Sequence, residues 1–373
     1  MAALVRRIEL RDFRNLERAE VEFDGGLTVV TGPNGAGKTN LLEALYFGCT
    51  GGSPRTSNER ELVRRGSALA RVVLDLEGED GEPHRIEVGF EPGEAKRLRV
   101  DGSNVDSLST VEVRPLVSVF LPDRLELVKG APSGRRAHID QVVAALWPSR
   151  ADARGAYSRA LAQRNALVGR IRAGTAGPDA LDAWDRELAR QGIALMEHRA
   201  ELIGALRTPF AELAGRLGLA GAAEIRYRPR SPAAGAEALA AELRERRQAD
   251  LERGFTAHGP HRDEVALLLD GAALRSYGSQ GQQRAALLAL LFAERELLAE
   301  RRGRAPLMLL DDVMSELDAE RRELLAGLLS DGGQAVITTT EAEHVPGSGR
   351  RAGLIQVEAG MVAATPAATR AAA

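Results

Sequence analysis

The amino-acid sequence predicts an α/β protein, a core of strands and helices interrupted by a compact, mainly helical lobe, and three observations carry that reading. A strand, a glycine-rich loop and a helix follow one another over Leu27 to Phe47. From residue 134 to residue 254 the alternation of β-branched residues fades into stretches rich in Ala, Leu, Arg and Glu, broken by Gly174, Gly177-Pro178, Gly218 and Ser231-Pro232. After Ala257 strand patterns return, at Val265 to Leu269, Leu307 to Leu310 and Ala335 to Thr339, with a long helix between the first two. These changes divide the chain into a strand-rich part over 1–115, a helical lobe over 116–257, a second α/β part over 258–363 and a frayed, low-complexity tail over 364–373. No heptad pattern lasts long enough for a coiled-coil arm.

Taken in order, the first element is Leu4-Val5-Arg6-Arg7-Ile8-Glu9-Leu10, whose alternation reads as a strand and lacks the apolar stretch of a secretion signal. The longest uninterrupted apolar run, Ala285 to Ala293, is far short of the roughly 20 residues that cross a bilayer. With a single cysteine, Cys49, an internal disulfide and a Cys-rich zinc module are excluded, so a cytoplasmic protein without a membrane partner is expected. The 373 residues are 44% hydrophobic but only 4% aromatic, which leaves few platforms for stacking single-stranded bases. A net charge of −3 and a pI near 6.2 give no basic footprint, so any contact with nucleic acid must be local or gated. Among 50 basic residues the only lysines are Lys38, Lys96 and Lys129. Each lysine therefore asks for a reason that arginine could not meet.

The second element supplies one. Leu27-Thr28-Val29-Val30-Thr31 reads as a buried strand, Gly32-Pro33-Asn34-Gly35-Ala36-Gly37-Lys38-Thr39 matches G-x-x-x-x-G-K-[ST], and Asn40 with Leu41-Leu42 opens a helix. This is a P-loop: its glycines let backbone N–H groups curl around phosphate oxygens at the positive end of a helix dipole. Lys38 would reach the β- and γ-phosphates of ATP as a compact charge, and the Thr39 hydroxyl would ligate Mg²⁺. Far along the chain, Leu307-Met308-Leu309-Leu310 reads as a buried strand that delivers Asp311 and Asp312 at its carboxyl edge, where ligands of open α/β sheets sit. Asp311 is expected to hold Mg²⁺, directly or through water, and Asp312 to polarise an attacking water.

Ser279-Gln280-Gly281-Gln282-Gln283, at the start of the long helix, resembles in form and order the signature motif of ABC-type ATPases. Ser279, the Gly281 amide and Gln282 stand at a helix N-terminus, a natural anion site. Ser315-Glu316-Leu317-Asp318 follows at the position of that superfamily's D-loop, and Asp318 can also cap the next helix. Thr338-Thr339-Thr340 lies where transporters carry a switch histidine.

Several stretches then resemble the RecF family more closely than other ABC-type heads. They are Leu10-Arg11-Asp12-Phe13-Arg14-Asn15, Leu127 to Pro132 with Arg135-Arg136 and Asp140, Gly259-Pro260-His261-Arg262-Asp263, Tyr277 to Arg284, and Leu310 to Asp318. One departure is Asp123, where the family's Glu is expected. The resemblance implies an ABC-ATPase-like head with a P-loop core, an antiparallel β subdomain and no coiled-coil arms. It further implies a signature motif that grips the γ-phosphate held by a second copy, so that ATP glues a head-to-tail homodimer. Its implied role is in recombinational repair and replication restart: a dimer on duplex DNA near single-strand gaps, released by weak, DNA-stimulated ATP hydrolysis, with RecR and RecO as partners and RecA loading as the outcome.

Arg6-Arg7, Arg64-Arg65 and Arg135-Arg136 are the candidate DNA contacts, each able to meet phosphates through a guanidinium fork or simply to face solvent. Clusters at Arg246-Arg247, Arg301-Arg302 with Arg304, and Arg350-Arg351 are weaker. His258, His261 and Asp263 have metal-like spacing but read as a structural turn. A transporter's nucleotide-binding subunit should carry Glu after Asp311 and a switch His, and has neither here; no spare segment is long enough for an attached nuclease.

Overall fold

The computed structural model describes residues 3–303, 305–330, 333–346 and 353–364. In chain order the strands and helices are β1 (Leu4–Phe13), β2 (Leu16–Glu22), β3 (Leu27–Thr31), α1 (Lys38–Thr50), β4 (Ala70–Glu77), β5 (Pro83–Phe90), β6 (Arg97–Val100), β7 (Ser103–Asn104) and β8 (Val117–Phe120). Next come α2 (Glu126–Lys129), α3 (Pro132–Leu146), α4 (Ala153–Arg172), α5 (Leu181–Arg216), β9 (Ala223–Arg228), α6 (Ala236–Glu245), α7 (Arg247–Arg253), β10 (Glu264–Leu269), β11 (Ala272–Ala273), α8 (Leu274–Tyr277) and α9 (Gln280–Arg302). The chain closes with β12 (Leu307–Leu310), α10 (Ala319–Ser330), β13 (Ala335–Thr339), β14 (Gly353–Glu358) and β15 (Met361–Ala364).

Two compact units result, Met1–Arg124 with Leu298–Ala373, and Leu125–Leu297. The first holds two sheets: an antiparallel one in the order β2-β1-β4-β5-β6-β7, and one in the order β15-β14-β3-β13-β12-β8 in which only the β14–β15 pair is antiparallel. Strands β3, β12 and β13 are almost wholly buried, and read accordingly as continuous apolar runs rather than alternations. Helix α1 packs against both sheets. Leu41, Leu42, Ala44, Leu45, Phe47 and Cys49 are all fully buried and cover most of the helix's circumference, while Thr39, Asn40, Glu43 and Thr50 share one polar stripe. Each Leu or Phe so buried contributes roughly 1.5–3 kcal/mol of transfer free energy. Gly48 allows the close approach, since a Cβ there would lie 2.8 Å from Leu74 of β4. At the far end, Lys96 donates to the Gly51 carbonyl that terminates α1, at 2.6 Å, and to Glu59 at 2.5 Å, a compact use of a lysine that needs no guanidinium fork.

The second unit is a helical lobe built on α4, α5, α6 and α7, with a small antiparallel sheet in the order β11-β10-β9. Tyr157, Leu188, Leu195, Met196, Leu239 and Leu243 form one of its cores. Arg164, fully buried, donates to Asp185 and Asp250 at 2.7 Å each and to Thr256 at 2.6 Å. Removing one partner of such a buried pair leaves an uncompensated charge, so the trio locks α4, α5 and α7 together.

The unit boundaries differ from those read in the sequence. They fall after Arg124 and inside α9, between Leu297 and Leu298, rather than at 115/116 and 257/258. The reason is β9: Ala223-Glu224-Ile225-Arg226-Tyr227-Arg228 is a strand within the expected helical stretch, and it pairs along its length with β10, keeping residues after 257 in the second unit. Helix α5 also runs for 36 residues, longer than the spacing of breakers implied, with Pro209 and Gly192 inside it. The tail from 365 onward, Arg304, Arg350, Arg351 and the side chain of Asp123 lie outside the described residues.

Burial raises the Cys49 thiol to a pKa of about 12, so no reactive thiolate forms near neutrality. Folded protein should not react with a disulfide-exchange reagent at pH 8, and should release one thiol equivalent only in denaturant; prompt reaction of the native protein would contradict the packing of α1.

Candidate functional site

Three positive-φ glycines shape the loop between β3 and α1, at Gly32 (152°), Gly35 (78°) and Gly37 (122°). Two of them are also sites of close approach. A Cβ on Gly32 would stand 2.0 Å from the Val357 carbonyl oxygen of β14, and one on Gly37 would meet the Asn15 and Leu16 side chains at 2.9 Å. Gly35 opens on free space, as a backbone that must receive a ligand should. The loop is braced from outside: the Asn15 amide donates to the Ala36 carbonyl at 3.2 Å and the Gly35 carbonyl at 3.4 Å, and Gly360 N–H donates to Ala36 at 2.9 Å. Asn40 donates to Asn15 at 2.7 Å and accepts from Arg55 at 2.9 Å.

Helix α1 begins with no side-chain cap and no acidic residue in its first turn. Its leading N–H groups and dipole therefore face the loop uncompensated, which is what an anionic ligand requires. Lys38 Nζ donates to the Gly32 and Pro33 carbonyls at 2.7 and 3.1 Å, folded over the cradle. Burial lowers the Lys38 pKa, while Asp312 and Asp311 oppose that shift. Below the loop, Glu43 is fully buried yet carries a bidentate pair from Arg14 at 2.9 Å, a bond from Arg55 at 2.9 Å and one from Ser53 at 2.6 Å. Burial alone would raise the Glu43 pKa, but these partners bring it below the ordinary carboxylate value.

Strand β12 brings the acidic pair to the same place. Thr39 Oγ1 donates to both Asp311 oxygens at 2.9 and 2.8 Å, Thr338 Oγ1 donates to Asp311 Oδ1 at 2.7 Å, and Asp312 N–H donates to Thr338 Oγ1 at 2.9 Å. Asp312 adopts a left-handed backbone (φ 48°), and its Oδ1 is buried without a hydrogen-bond partner among the described residues. A hydroxyl and a carboxylate converging beside a phosphate cradle are the hard oxygen donors Mg²⁺ takes. The residues present thus fit ATP and Mg²⁺: Gly32, Pro33, Asn34, Gly35, Ala36, Gly37 and Lys38 for the phosphates, Thr39 and Asp311 for the metal.

Ser279, Gly281 and Gln282 belong to the second unit. Ser279 Oγ accepts from Gln282 N–H at 3.2 Å while Gln282 Oε1 accepts from Ser279 N–H at 2.8 Å, a reciprocal capping box that presents an exposed turn. Gln283, which is buried, pins the turn through the Leu274 and Gly278 carbonyls at 2.9 and 3.2 Å. Asp318 caps α10, accepting from Arg321 N–H at 2.9 Å.

A family model described as RecF/RecN/SMC N terminal domain matches residues 4–363. The DNA replication and repair protein RecF of Anaeromyxobacter sp. is 40% identical over 371 residues, covering 95% of this chain and 97% of its own. The chain belongs to the RecF family. Another member, from Streptomyces avermitilis, is 38% identical over 362 residues, covering 92% of this chain and 95% of its own. A solved structure of the recombination mediator protein RecF with ATP, in the RecFOR pathway, matches with a TM-score of 0.89 at 30% identity over 98% of each chain. The Smc head domain of Pyrococcus furiosus matches with a TM-score of 0.61 at 17% identity over 97% of this chain and 96% of its own, a likeness of fold. The ABC-type head expected from the sequence is the fold of this RecF-family chain.

The arginines read as DNA contacts fare differently. Arg6 stands at a β-bulge and pairs with Glu77 at 2.8 Å; Arg7 pairs with Asp75 at 2.9 Å and Glu20 at 2.8 Å. Arg64 pairs with Glu17 at 2.9 Å, and Arg65 is exposed. Arg135 is buried and committed to Glu264 at 2.9 Å and to the carbonyls of Leu127, Val128 and Gly130, which corrects its reading as a surface contact: it holds α3 to the preceding turn and to β10. Arg136 donates to the Asp263 carbonyl at 2.7 Å. His258 pairs with Glu242 at 2.5 Å and His261 with Tyr157 at 2.7 Å, and burial lowers His261 to a pKa of about 4, so it stays neutral. Sequence reasoning missed the brace of Asn15, Arg14, Glu43 and Arg55; its one signal was Arg14-Asn15 in the family stretch, with no hint of what it held.

Gly32→Ala should lower the unfolding free energy by about 3 kcal/mol, because the new methyl meets the backbone of β14 rather than a yielding side chain. Denaturant unfolding that shows a loss under about 1 kcal/mol would contradict this register of β3 and β14.

Proposed function

We propose that this chain is an ATP-gated, DNA-clamping ATPase of recombinational repair and replication restart. The observation that carries the proposal is the convergence of Lys38, Thr39, Asp311 and Asp312 on an uncapped helix N-terminus, in a chain of the RecF family. Lys38 and the loop amides would hold the β- and γ-phosphates; Thr39 and Asp311 would hold Mg²⁺, which would supply positive charge to offset that of the phosphates. Asp312 orients the attacking water. Ser279 and the Gly281 amide of a second copy close over the γ-phosphate, so two ATP molecules join two chains head to tail. The dimer encloses duplex DNA near single-strand gaps, and acts with RecR and RecO to assist RecA loading. Arg6, Arg7, Arg64 and Arg65 are the remaining candidates for phosphate contacts, and Arg65 is the freest of them to make one.

The decisive measurement is solution mass and DNA binding with and without ATP. Ser279→Arg should bind ATP as a monomer within about threefold of the unaltered protein, yet fail to dimerise, since Ser279 acts on the partner's nucleotide. Equal loss of ATP binding and dimerisation would contradict the head-to-tail arrangement.

Hydrolysis should be slow. Asp312 is one methylene shorter than the Glu of fast ABC ATPases, and small displacements of a catalytic group cost about 10²-fold. Asp312→Asn should retain ATP binding, lose turnover and lengthen the dimer's life on DNA. Unaltered turnover on the order of 10 s⁻¹, or normal hydrolysis by Asp312→Asn, would refute this timing role.

A further inference from the structure

Thr338 lies at the end of β13, fully buried, and the parallel register that pairs Leu310 with Ile337 sets it beside Asp311. Its hydroxyl is used twice. The Asp312 amide can only donate, so it takes a lone pair of Thr338 Oγ1 at 2.9 Å and directs the hydroxyl proton to Asp311 Oδ1 at 2.7 Å. One side chain thereby orients both acidic residues. Thr39 reaches the same Asp311 Oδ1 at 2.9 Å, so two hydroxyls, one from the first turn of α1 and one from β13, converge on one carboxylate oxygen.

The second bond explains the identity of the neighbour. Asp312 has φ 48°, a left-handed conformation that short Asp and Asn tolerate several-fold better than longer side chains. Its amide is tied down by Thr338, while its carboxylate Oδ1 is buried with no partner among the described residues and stays available for a ligand. A β-branched residue suits the post, because its χ1 is stiff and a strand restrains it further.

We propose that Thr338 is a positioning residue for nucleotide hydrolysis: it fixes Asp311 for the metal and Asp312 for the attacking water through a single hydroxyl. The inference rests on the assignment of ATP hydrolysis to this site. Thr338→Val keeps the shape and removes the hydroxyl, freeing Asp311 to turn and releasing the left-handed backbone of Asp312.

The test compares the unaltered protein, Thr338→Val and Thr338→Ser by binding of a fluorescent ATP analogue across a Mg²⁺ titration, steady-state turnover and thermal midpoint. Thr338→Val should bind the analogue without Mg²⁺ within about threefold of the unaltered protein, need about tenfold more Mg²⁺ to reach the metal-bound signal, and lose turnover by about tenfold or more in kcat rather than KM. Thr338→Ser should restore both to within about threefold. Should Thr338→Val not fold, Thr338→Cys, of similar size with a weak donor, should show the same losses in smaller measure. A hydroxyl-free variant with unchanged Mg²⁺ dependence and kcat overturns the proposal, as does Thr338→Ser failing as badly as Thr338→Val. A fall in thermal midpoint alone, with kcat per folded molecule intact, also overturns it. If the unaltered protein neither binds nor turns over ATP, the hydrolytic assignment falls as well; normal activity beside an unaffected Thr338→Val sinks this inference only.

Discussion

The first unit depends on the burial of α1. A helix whose apolar residues cover most of its circumference is held by both sheets at once, through Leu41, Leu42, Leu45 and Phe47 on one length of backbone. The ring of Phe13 in β1 lies 5.6 Å from that of Phe47, tying the antiparallel sheet to the helix. The loop's curvature follows. With β3 fixed in its sheet and α1 fixed between sheets, the six residues from Gly32 to Gly37 have one path left, and three of them take it with positive φ. The phosphate cradle is the shape left over when two rigid bodies are joined by a chain too short to wander.

A second dependence runs through the acidic strand. Thr39, at the first turn of that helix, and Asp311, at the end of β12, meet only because β12 and β3 both flank β13 in register. Backbone pairing, not attraction between the side chains, brings them together. The side-chain bonds then select rotamers within a geometry already set.

How much was legible in the sequence follows from which forces are local. The loop, its strand and its helix could be read because glycine spacing and apolar runs are local signals, and Leu307 to Leu310 matched its strand for the same reason. The cap at Asp318 was readable as a short-range bond. Strand β9 was not: Ala223 to Arg228 sits among helices and shows only three apolar-facing positions, so its identity comes from β10, which pairs with it from beyond α7. Arg135 was misread because arginine is common here and its burial is decided by Glu264, which is 129 residues away. The Arg14–Glu43 brace escaped for the same reason. Glu43 takes its place inside the helix only because Arg14, 29 residues earlier, folds over it.

The side chain of Gln334 has a consequence for how the chain is made. Its amide accepts from Val5 N–H at 2.9 Å and donates to the Val5 carbonyl at 2.7 Å, imitating a strand neighbour across 329 residues. The neighbours of β3 are β13 and β14, also from the far end of the chain. During synthesis, therefore, the strand that carries the phosphate loop emerges early and must wait, with both its edges open, until almost everything else has left the ribosome. The helical lobe, whose elements are contiguous in sequence, can fold in the meantime. The order of synthesis thus leaves the sheet that carries the loop to be completed last, after the helical lobe has closed on itself.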